Sequence, residues 1–240
     1  LALFSKKGIG IKHQTILQDN FSSESLLSGK GLLGKIFLFS FFMEFIGMIA
    51  LYFTWNPGTN APLLEDQFFF SLFHSVSAFN NAGFSLFSNG LQNHVVQNAY
   101  SMHLILAALI FFGAVGFPVI DDLFNINRIK KSFQSSLYKL KLSTRISLYT
   151  TFVLIVFGTL MFYFLEQQNT LNGMTLQGQL ITSFFQSITA RTAGFNTVDF
   201  SVIGTPMLLI FIFLMFIGAS PGSTGGGIKT STFTLIIYSA

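Results

Sequence analysis

Two short segments of this 240-residue sequence have the composition of cation-binding loops. Each follows a short apolar stretch: Asn81-Ala82-Gly83-Phe84 in the first half and Thr192-Ala193-Gly194-Phe195 in the second. A helix that stops at such a loop leaves carbonyls without helical partners, and in a water-lined pore they can replace a cation's hydration shell. Glycine permits the backbone angles that aim successive carbonyls inward. The loops therefore predict carbonyl coordination of a dehydrated cation, assisted by the negative ends of the preceding helices.

A third segment, residues 218–227, is called the Gly-rich loop below. It holds five Gly, one Pro and three hydroxyl residues within an apolar stretch. It cannot be a lipid-facing helix, because its freed backbone groups would lack partners. A phosphate-binding loop is rejected because Ile228 stands where G-x-x-x-x-G-K-[ST] requires Lys, and no strand precedes it. A passive kink and a movable segment both remain open, and the small residues favour the movable one.

The composition is that of a membrane protein. Of all residues 51% are hydrophobic and 9% charged, with a mean hydropathy of +0.61, whereas a soluble domain carries about a quarter charged residues. There is no cysteine, which removes disulfides and zinc-thiolate sites. Neither a nucleophilic triad, paired catalytic carboxylates nor metal-ligand spacing of the histidines emerges. We therefore expect neither an enzyme nor a cofactor.

The apolar stretches predict an all-α membrane protein built from repeated helix, re-entrant pore loop, helix units. Stretches long enough to cross a bilayer are distinguished from shorter ones that suit re-entrant helices. In the first unit, 35–124, we predict a helix at 35–54, a pore helix at 67–80, a filter at 81–85 and a helix at 101–124. In the second unit, 145–240, we predict a helix at 145–165, a pore helix at 177–190, a filter at 191–197 and a helix at 205–240 that the Gly-rich loop breaks.

The two units match each other as an internal repeat. Ser75-Val76-Ser77-Ala78 resembles Ser187-Ile188-Thr189-Ala190, and the two Ala-Gly-Phe triplets follow at nearly the same distance. An isolated Ala-Gly-Phe would be explained by a tight turn. Its recurrence at matching positions favours a filter function.

The basic residues predict the orientation, because Lys and Arg near span ends are retained on the cytoplasmic side. Eleven of the thirteen lie in residues 1–35 or 128–145. We therefore predict a cytoplasmic tail and linker at 1–34, a basic cytoplasmic connection at 125–144, and filter loops that open to the outside of the plasma (inner) membrane. This placement explains the net charge of +4, so nucleic-acid binding is not expected.

Three charged residues fall at membrane depth, where partners are expected. Glu44 could bond to neighbouring helices as a neutral acid or face the cavity as an anion, and we favour the structural role. Arg191 could brace carbonyls of the second loop or pair with Asp199. Lys229 could hold the Gly-rich loop through a carboxylate or hydroxyl, or extend toward the cytoplasm.

Three motifs in chain order resemble one known family. They are Ser-Ala-Phe-Asn-Asn-Ala-Gly-Phe at 77–84, Ala-Arg-Thr-Ala-Gly-Phe-Asn-Thr at 190–197 and Ser-Pro-Gly-Ser-Thr-Gly-Gly-Gly-Ile-Lys-Thr at 220–230. The pattern is similar to the Trk/Ktr-type potassium transporter subunits over nearly the whole chain. Four such units form one pore in that family. The resemblance implies an internal fragment that contains the second and third units, preceded by the tail of the first.

The resemblance also implies roles for individual residues. The filter carbonyls that would bind K⁺, the transported ion, belong to Asn81, Ala82, Gly83, Thr192, Ala193 and Gly194. Filter support would come from Phe84, Arg191 and Phe195. The gate would comprise Gly218, Ser220, Gly222, Ser223, Thr224, Gly225, Gly226, Gly227 and Lys229.

The function expected from this resemblance is potassium transport through a gated, channel-like pore. It further implies a lipid-embedded homodimer bound by a cytoplasmic nucleotide-binding regulatory subunit, for which the basic connection is a plausible contact. One alternative is a sodium or Na⁺/K⁺ transporter of the same superfamily. A secondary transporter that binds a small solute at broken helices is an alternative of another class.

Overall fold

The computed structural model describes residues 29–54, 67–124 and 140–239. The predicted tail lies outside the described residues up to residue 28, as does the basic connection up to residue 139. The described residues form an all-helical protein, as predicted. Its helices are α1 (Gly29–Thr54), α2 (Gln67–Phe79), α3 (Tyr100–Val115), α4 (Phe117–Phe124), α5 (Leu142–Glu166), α6 (Leu176–Thr192), α7 (Thr205–Phe216) and α8 (Thr230–Ser239), with a short 3-10 helix at Gly90–Gln92.

The helices form two units of the same architecture, here called repeat A (α1–α4) and repeat B (α5–α8). In each repeat a long apolar helix, α1 or α5, packs along a shorter pore helix, α2 or α6. Among the described residues, α1 and α5 are long and apolar enough to cross a membrane, and α3 with α4 would be a third span if counted together. α7 is also apolar but shorter. The chain is therefore a membrane protein with pore helices set among its spans.

The segment predicted as one helix at 101–124 is instead two helices, α3 and α4, bent by 96°. Gly116 lies at the bend with φ +84°, a left-handed conformation that strains residues with a Cβ. The amide of Phe117 donates to the carbonyl of Gly222 in the Gly-rich loop at 3.2 Å, so this loop supplies a partner that a continuous helix would not need. Pro118 fits the first turn of α4, where an amide donor is not required.

A shared core joins the repeats. Leu106 and Ile110 of α3 and Phe185 of α6 are fully buried in one cluster that also contains Ala193 and Phe195. A second cluster packs α5 against α7 through Phe162, Met207, Phe211 and Leu214. The residues that follow α6 are thus held by apolar contacts from both repeats.

Candidate functional site: two pore loops and a Gly-rich loop

The pore helices end in loops of related construction, here called loop A (residues 80–84) and loop B (residues 193–196). In repeat A the Ser77 hydroxyl donates to the carbonyl of Phe84 at 2.8 Å. In repeat B the Thr189 hydroxyl donates to the carbonyl of Phe195 at 3.1 Å. Each hydrogen bond folds the loop back onto the end of its own pore helix, because it ties the residue after the glycine to the helix's last turns.

The pore helices also approach their spans in the same way. Ser75 donates to the carbonyl of Glu44 at 2.6 Å, and Ser187 donates to that of Ile155 at 2.8 Å. A glycine of the span, Gly47 or Gly158, lies directly opposite each serine hydroxyl, which a Cβ at that glycine would meet. Close helix contact therefore depends on glycine in both repeats.

Loops A and B lie against each other. Gly83 has φ +73° and Gly194 has φ +86°, as expected for chains that turn sharply. A Cβ on Gly83 would collide with the carbonyl oxygen of Ala193, whereas a Cβ on Gly194 would meet nothing within 4 Å. Gly194 instead lines a cavity of about 490 Å³, together with Thr192, Met215, Gly226 and Gly227 of the surrounding elements.

The predicted filter residues therefore lie together, although not all of them lie in loops. α6 continues through Arg191 and Thr192, two residues beyond the predicted end of the pore helix. Ala82 and Gly194 are exposed, while Ala193 is buried. Phe195 is 2% exposed and Phe84 is 69% exposed, so in the described structure only the second of these phenylalanines is packed in the core.

The Gly-rich loop separates α7 from α8 and closes upon itself. Ile217 and Ile228 pair as an isolated parallel bridge, and the Ala219 amide donates to the Gly226 carbonyl at 3.1 Å. Cβ atoms on Gly218 or Gly227 would collide with the opposite side of the loop. The two glycines thus permit backbone approach that other residues would prevent.

Backbone hydrogen bonds hold the Gly-rich loop to the end of α3. Ser220 and Thr224 donate their amides to the carbonyls of Ala114 and Gly113, at 2.9 and 3.2 Å. These carbonyls belong to the last turn of a helix and would otherwise lack partners. Within the loop, Ser223 donates to the carbonyl of Ser220. The Gly222 contact with Phe117 adds the third attachment to repeat A.

Two basic side chains, one buried and one half-buried, donate hydrogen bonds to backbone carbonyls of the Gly-rich loop. Arg191, 5% exposed, donates from Nη2 to Gly218 at 2.9 Å, and Lys229 donates from Nζ to Gly225 at 2.8 Å. Arg191 thus bonds to the Gly-rich loop, whereas the sequence suggested carbonyls of the second filter loop or Asp199 as its partner. Asp199 accepts hydrogen bonds from the side chain and amide of Ser201, which lower the pKa of the Asp199 carboxyl.

The side chain of Glu44 contacts loop A. Its Oε1 accepts from Nδ2 of Asn80 at 2.7 Å, so the first span holds the start of loop A. His74 likewise forms local contacts, with the Phe70 carbonyl at 2.9 Å and the Ser85 hydroxyl at 3.1 Å. Among the described residues no group of three His, Cys, Asp or Glu side chains could hold a metal.

Glu166 is a buried carboxylate at the last residue of α5, one position beyond the helix predicted at 145–165. It is 0% exposed. Its Oε1 accepts from the Gly204 amide at 2.9 Å, and its Oε2 accepts from Asn169 at 2.8 Å and Thr170 at 3.1 Å. Glu166 therefore joins the end of α5 to the start of α7. In the sequence, only the nearby Asn169 and Thr170 indicate hydrogen-bond partners for this carboxylate.

These features define a class of protein: a membrane protein with duplicated pore helices, paired glycine loops and a Gly-rich loop between two apolar helices. The sequence matches the TrkH family model, described as a cation transport protein, over residues 2–240. The chain belongs to this family.

Relatives with curated names are similar along almost the whole chain. The Ktr system potassium uptake protein B of Vibrio alginolyticus is 39% identical over 229 residues, covering 95% of this chain and 48% of that protein. The protein of the same name in Bacillus subtilis is 34% identical, with 97% and 50% covered. The potassium/sodium uptake protein NtpJ of Enterococcus hirae is 31% identical, with 97% and 49% covered. The chain thus spans about half the length of the curated relatives it matches.

A solved structure shares the fold. The potassium transporter TrkH from Vibrio parahaemolyticus superposes with a TM-score of 0.68, covering 93% of this chain and 44% of that one, at 18% identity. The repeated helix and pore-loop architecture of this chain is therefore a known membrane fold.

Proposed function

We propose that this chain supplies half of the potassium-conducting pore of a Trk/Ktr-type uptake system. One observation carries the proposal: loops A and B end two equivalent pore helices and meet each other, with glycines in left-handed conformation at Gly83 and Gly194. Carbonyls of Asn81, Ala82, Gly83, Thr192, Ala193 and Gly194 coordinate K⁺ in place of water. The names of the Vibrio and Bacillus relatives support potassium as the ion.

The Gly-rich loop acts as the gate. Its backbone attachments to Gly113, Ala114 and Phe117 are few and are made by small residues, so it can move aside at a modest cost. Arg191 and Lys229 hold it through the carbonyls of Gly218 and Gly225. Their charges thus act behind the loop and do not serve as ion ligands.

The filter loops face the outside of the cell membrane, and the starts of α1 and α5 face the cytoplasm. Lys35 and Arg145 lie within the first two turns of these helices, and basic residues near span ends are retained on the cytoplasmic side. The protein works as a homodimer in lipid with a cytoplasmic nucleotide-binding regulatory subunit on the basic connection. Neutral replacement of the six basic residues between 128 and 145 should reduce regulator binding in a pull-down of the full-length protein. Unchanged binding with normal membrane assembly would refute this contact.

Ion uptake by the full-length protein tests the filter. Gly194→Ser should raise the apparent KM for K⁺ at least tenfold or weaken the preference for K⁺ over Na⁺, because the added side chain enters the cavity. Gly173→Ser is a matched control, since Gly173 also has φ +78° and open surroundings but lies outside the loops. Unaltered K⁺ affinity and selectivity in Gly194→Ser would reject the filter assignment.

A Na⁺/K⁺ transporter is the second candidate, favoured by the name of the Enterococcus relative. Uptake of labelled Na⁺ and K⁺ in competition separates the two candidates. A preference for K⁺ over Na⁺ of less than about threefold would favour the Na⁺/K⁺ transporter.

A further inference from the structure

Asn81 connects three elements of the site through its side chain. It is 9% exposed and has φ +53°, the one positive φ at a non-glycine position among the described residues. Asparagine tolerates this left-handed conformation better than most residues do. The backbone thus turns the side chain of loop A toward repeat B and the Gly-rich loop.

The hydrogen bonds of Asn81 run in one direction. Thr224 donates its hydroxyl proton to the carbonyl of Phe79 at 3.1 Å, so the Thr224 hydroxyl oxygen accepts from Nδ2 of Asn81 at 2.7 Å. The same Nδ2 also donates to the Phe79 carbonyl, at 3.4 Å. This orients the amide, because Oδ1 then faces Thr192 and accepts from its hydroxyl at 2.9 Å. The amide nitrogen of Asn81 thus bonds to the Gly-rich loop, and its amide oxygen bonds to the end of α6, next to loop B.

Both partners of Asn81, Thr192 and Thr224, lie where a displacement of the Gly-rich loop would change their contacts. Thr192 is the last residue of α6 and precedes loop B, and its methyl group would be 2.7 Å from a Cβ on Gly225. Thr224 also anchors the Gly-rich loop through its amide on Gly113. When the Gly-rich loop leaves this position, Asn81 and the Phe79 carbonyl lose a partner at once. A buried amide with an unmade hydrogen bond is costly, so loop A must readjust.

We infer that Asn81 is a positioning residue that couples the place of the Gly-rich loop to the geometry of both filter loops. Through it, the affinity of the filter for K⁺ depends on whether Thr224 is docked. The coupling is reciprocal: ion occupancy of the filter shifts the equilibrium between docked and undocked Gly-rich loop. This inference rests on the proposed function, since it assumes that loops A and B bind the ion and that the Gly-rich loop gates it.

Substitutions of matched shape test the coupling in the full-length protein reconstituted in liposomes. Thr224→Val removes the hydroxyl and should change the apparent KM for K⁺ by about fivefold or more, the range typical of coupled sites, while raising the maximal rate. Thr224→Ser keeps the hydroxyl and should stay within about twofold of the unmodified protein. Ser71→Ala is the control, because its hydroxyl donates to the Gln67 carbonyl within α2, away from the loops.

The double variant distinguishes coupling from two separate effects. Asn81→Gly tolerates the positive φ and removes the side-chain hydrogen bonds to Thr224, Thr192 and Phe79, so it should shift KM as Thr224→Val does. In Asn81→Gly/Thr224→Val the shift should be no larger than in either single variant, because the same link is already broken. Multiplying KM shifts, or a changed rate in Thr224→Val with an unchanged KM, would overturn the inference.

Two further measurements keep the test decisive. Should Thr224→Val fail to yield folded protein, Thr192→Val breaks the other end of the network and must shift KM without adding to the effect of Asn81→Gly. Gly194→Ser reports separately on the filter. If Gly194→Ser alters K⁺ affinity while neither threonine variant does, the coupling fails and the proposed function stands; if Gly194→Ser alters nothing, the proposed function fails.

Discussion

Loops A and B end equivalent pore helices, but loop A has one residue more. Six residues lie between Ser77 and Phe84, and five lie between Thr189 and Phe195, although the same type of hydrogen bond joins each pair. α2 stops at Phe79, and Asn81 takes the left-handed turn. α6 continues as a helix to Thr192. Asn81 therefore lies in a loop, whereas the matching Thr192 is the last residue of a helix, and the Thr192 hydroxyl donates to Oδ1 of Asn81 at 2.9 Å.

The surroundings of the loops differ as well. Gly83 is crowded by the Ala193 carbonyl, while Gly194 is open. Phe195 is buried among residues of both repeats, and Phe84 is mostly exposed. Loop B is thus fixed in the core, and loop A lies against it. The duplication preserves how the pore helices pack, whereas the contacts of the loops have diverged.

Exchanging the two loop glycines for alanine should show this difference most strongly. Gly83→Ala combines left-handed strain with a collision against a backbone carbonyl, and should destabilise the protein by about 3 kcal/mol or more. Gly194→Ala should cost about 1–2 kcal/mol, from left-handed strain alone. Thermal unfolding of the purified full-length protein measures both.

Gly173→Ala is the control for left-handed backbone strain outside the filter loops, because Gly173 has a positive φ and a Cβ there would meet nothing within 4 Å. Its cost should equal that of Gly194→Ala. Equal destabilisation by Gly83→Ala and Gly194→Ala would contradict the asymmetry between the loops.

Much of this fold was predictable from the sequence. Residue types repeat at Ser75, Ser77, Ser187 and Thr189, and short apolar stretches lead into glycine, so the two pore helices and their loops follow from length and polarity. The break at the Gly-rich loop was predictable for a related reason. Five glycines within ten residues remove the side chains that a span would present to lipid.

The bend at Gly116 was missed because the prediction followed the apolar run through Phe117, Val119 and Ile120, although Gly116 and Pro118 in that run are residues that commonly end or bend a helix. The bend depends on the carbonyl of Gly222, which is distant in sequence. The end of α6 was also misjudged. From the sequence, Arg191 and Thr192 were assigned to the filter because they adjoin an Ala-Gly-Phe triplet. In the structure they extend α6, and Arg191 donates a hydrogen bond to the buried carbonyl of Gly218.

The roles of polar side chains were the least accessible to sequence reasoning. Asn81 was considered only for its carbonyl, and Thr224 only as part of a flexible segment. Their hydrogen bond joins residues separated by 143 positions, and no local pattern predicts such a pair. Its existence depends on where the broken span docks.

The shared part of the repeats should respond equally to substitution. Gly47→Ala would press on Ser75 and Leu109, and Gly158→Ala would press on Ser187 and Leu214. Each should cost about 1–3 kcal/mol of stability through overpacking. Gly34→Ala in α1 is the control, because a Cβ there meets nothing within 4 Å, and it should be neutral or slightly stabilising. Thermal unfolding showing a cost in only one repeat would refute the common packing.

The smallest effects should come from the hydroxyls that fold each loop onto its helix. Ser77→Ala and Thr189→Val each remove one hydrogen bond to the carbonyl of the loop phenylalanine and should cost about 1 kcal/mol. Ser71→Ala serves as the control, since its hydroxyl bonds within its own helix to Gln67. Thermal unfolding gives the costs, and K⁺ uptake shows whether either loop has moved. Phe195 is also held by the core, whereas Phe84 is not, so Ser77→Ala should raise the KM for K⁺ more than Thr189→Val does. The reverse order would mean that loop A does not depend on the hydrogen bond from Ser77 to Phe84.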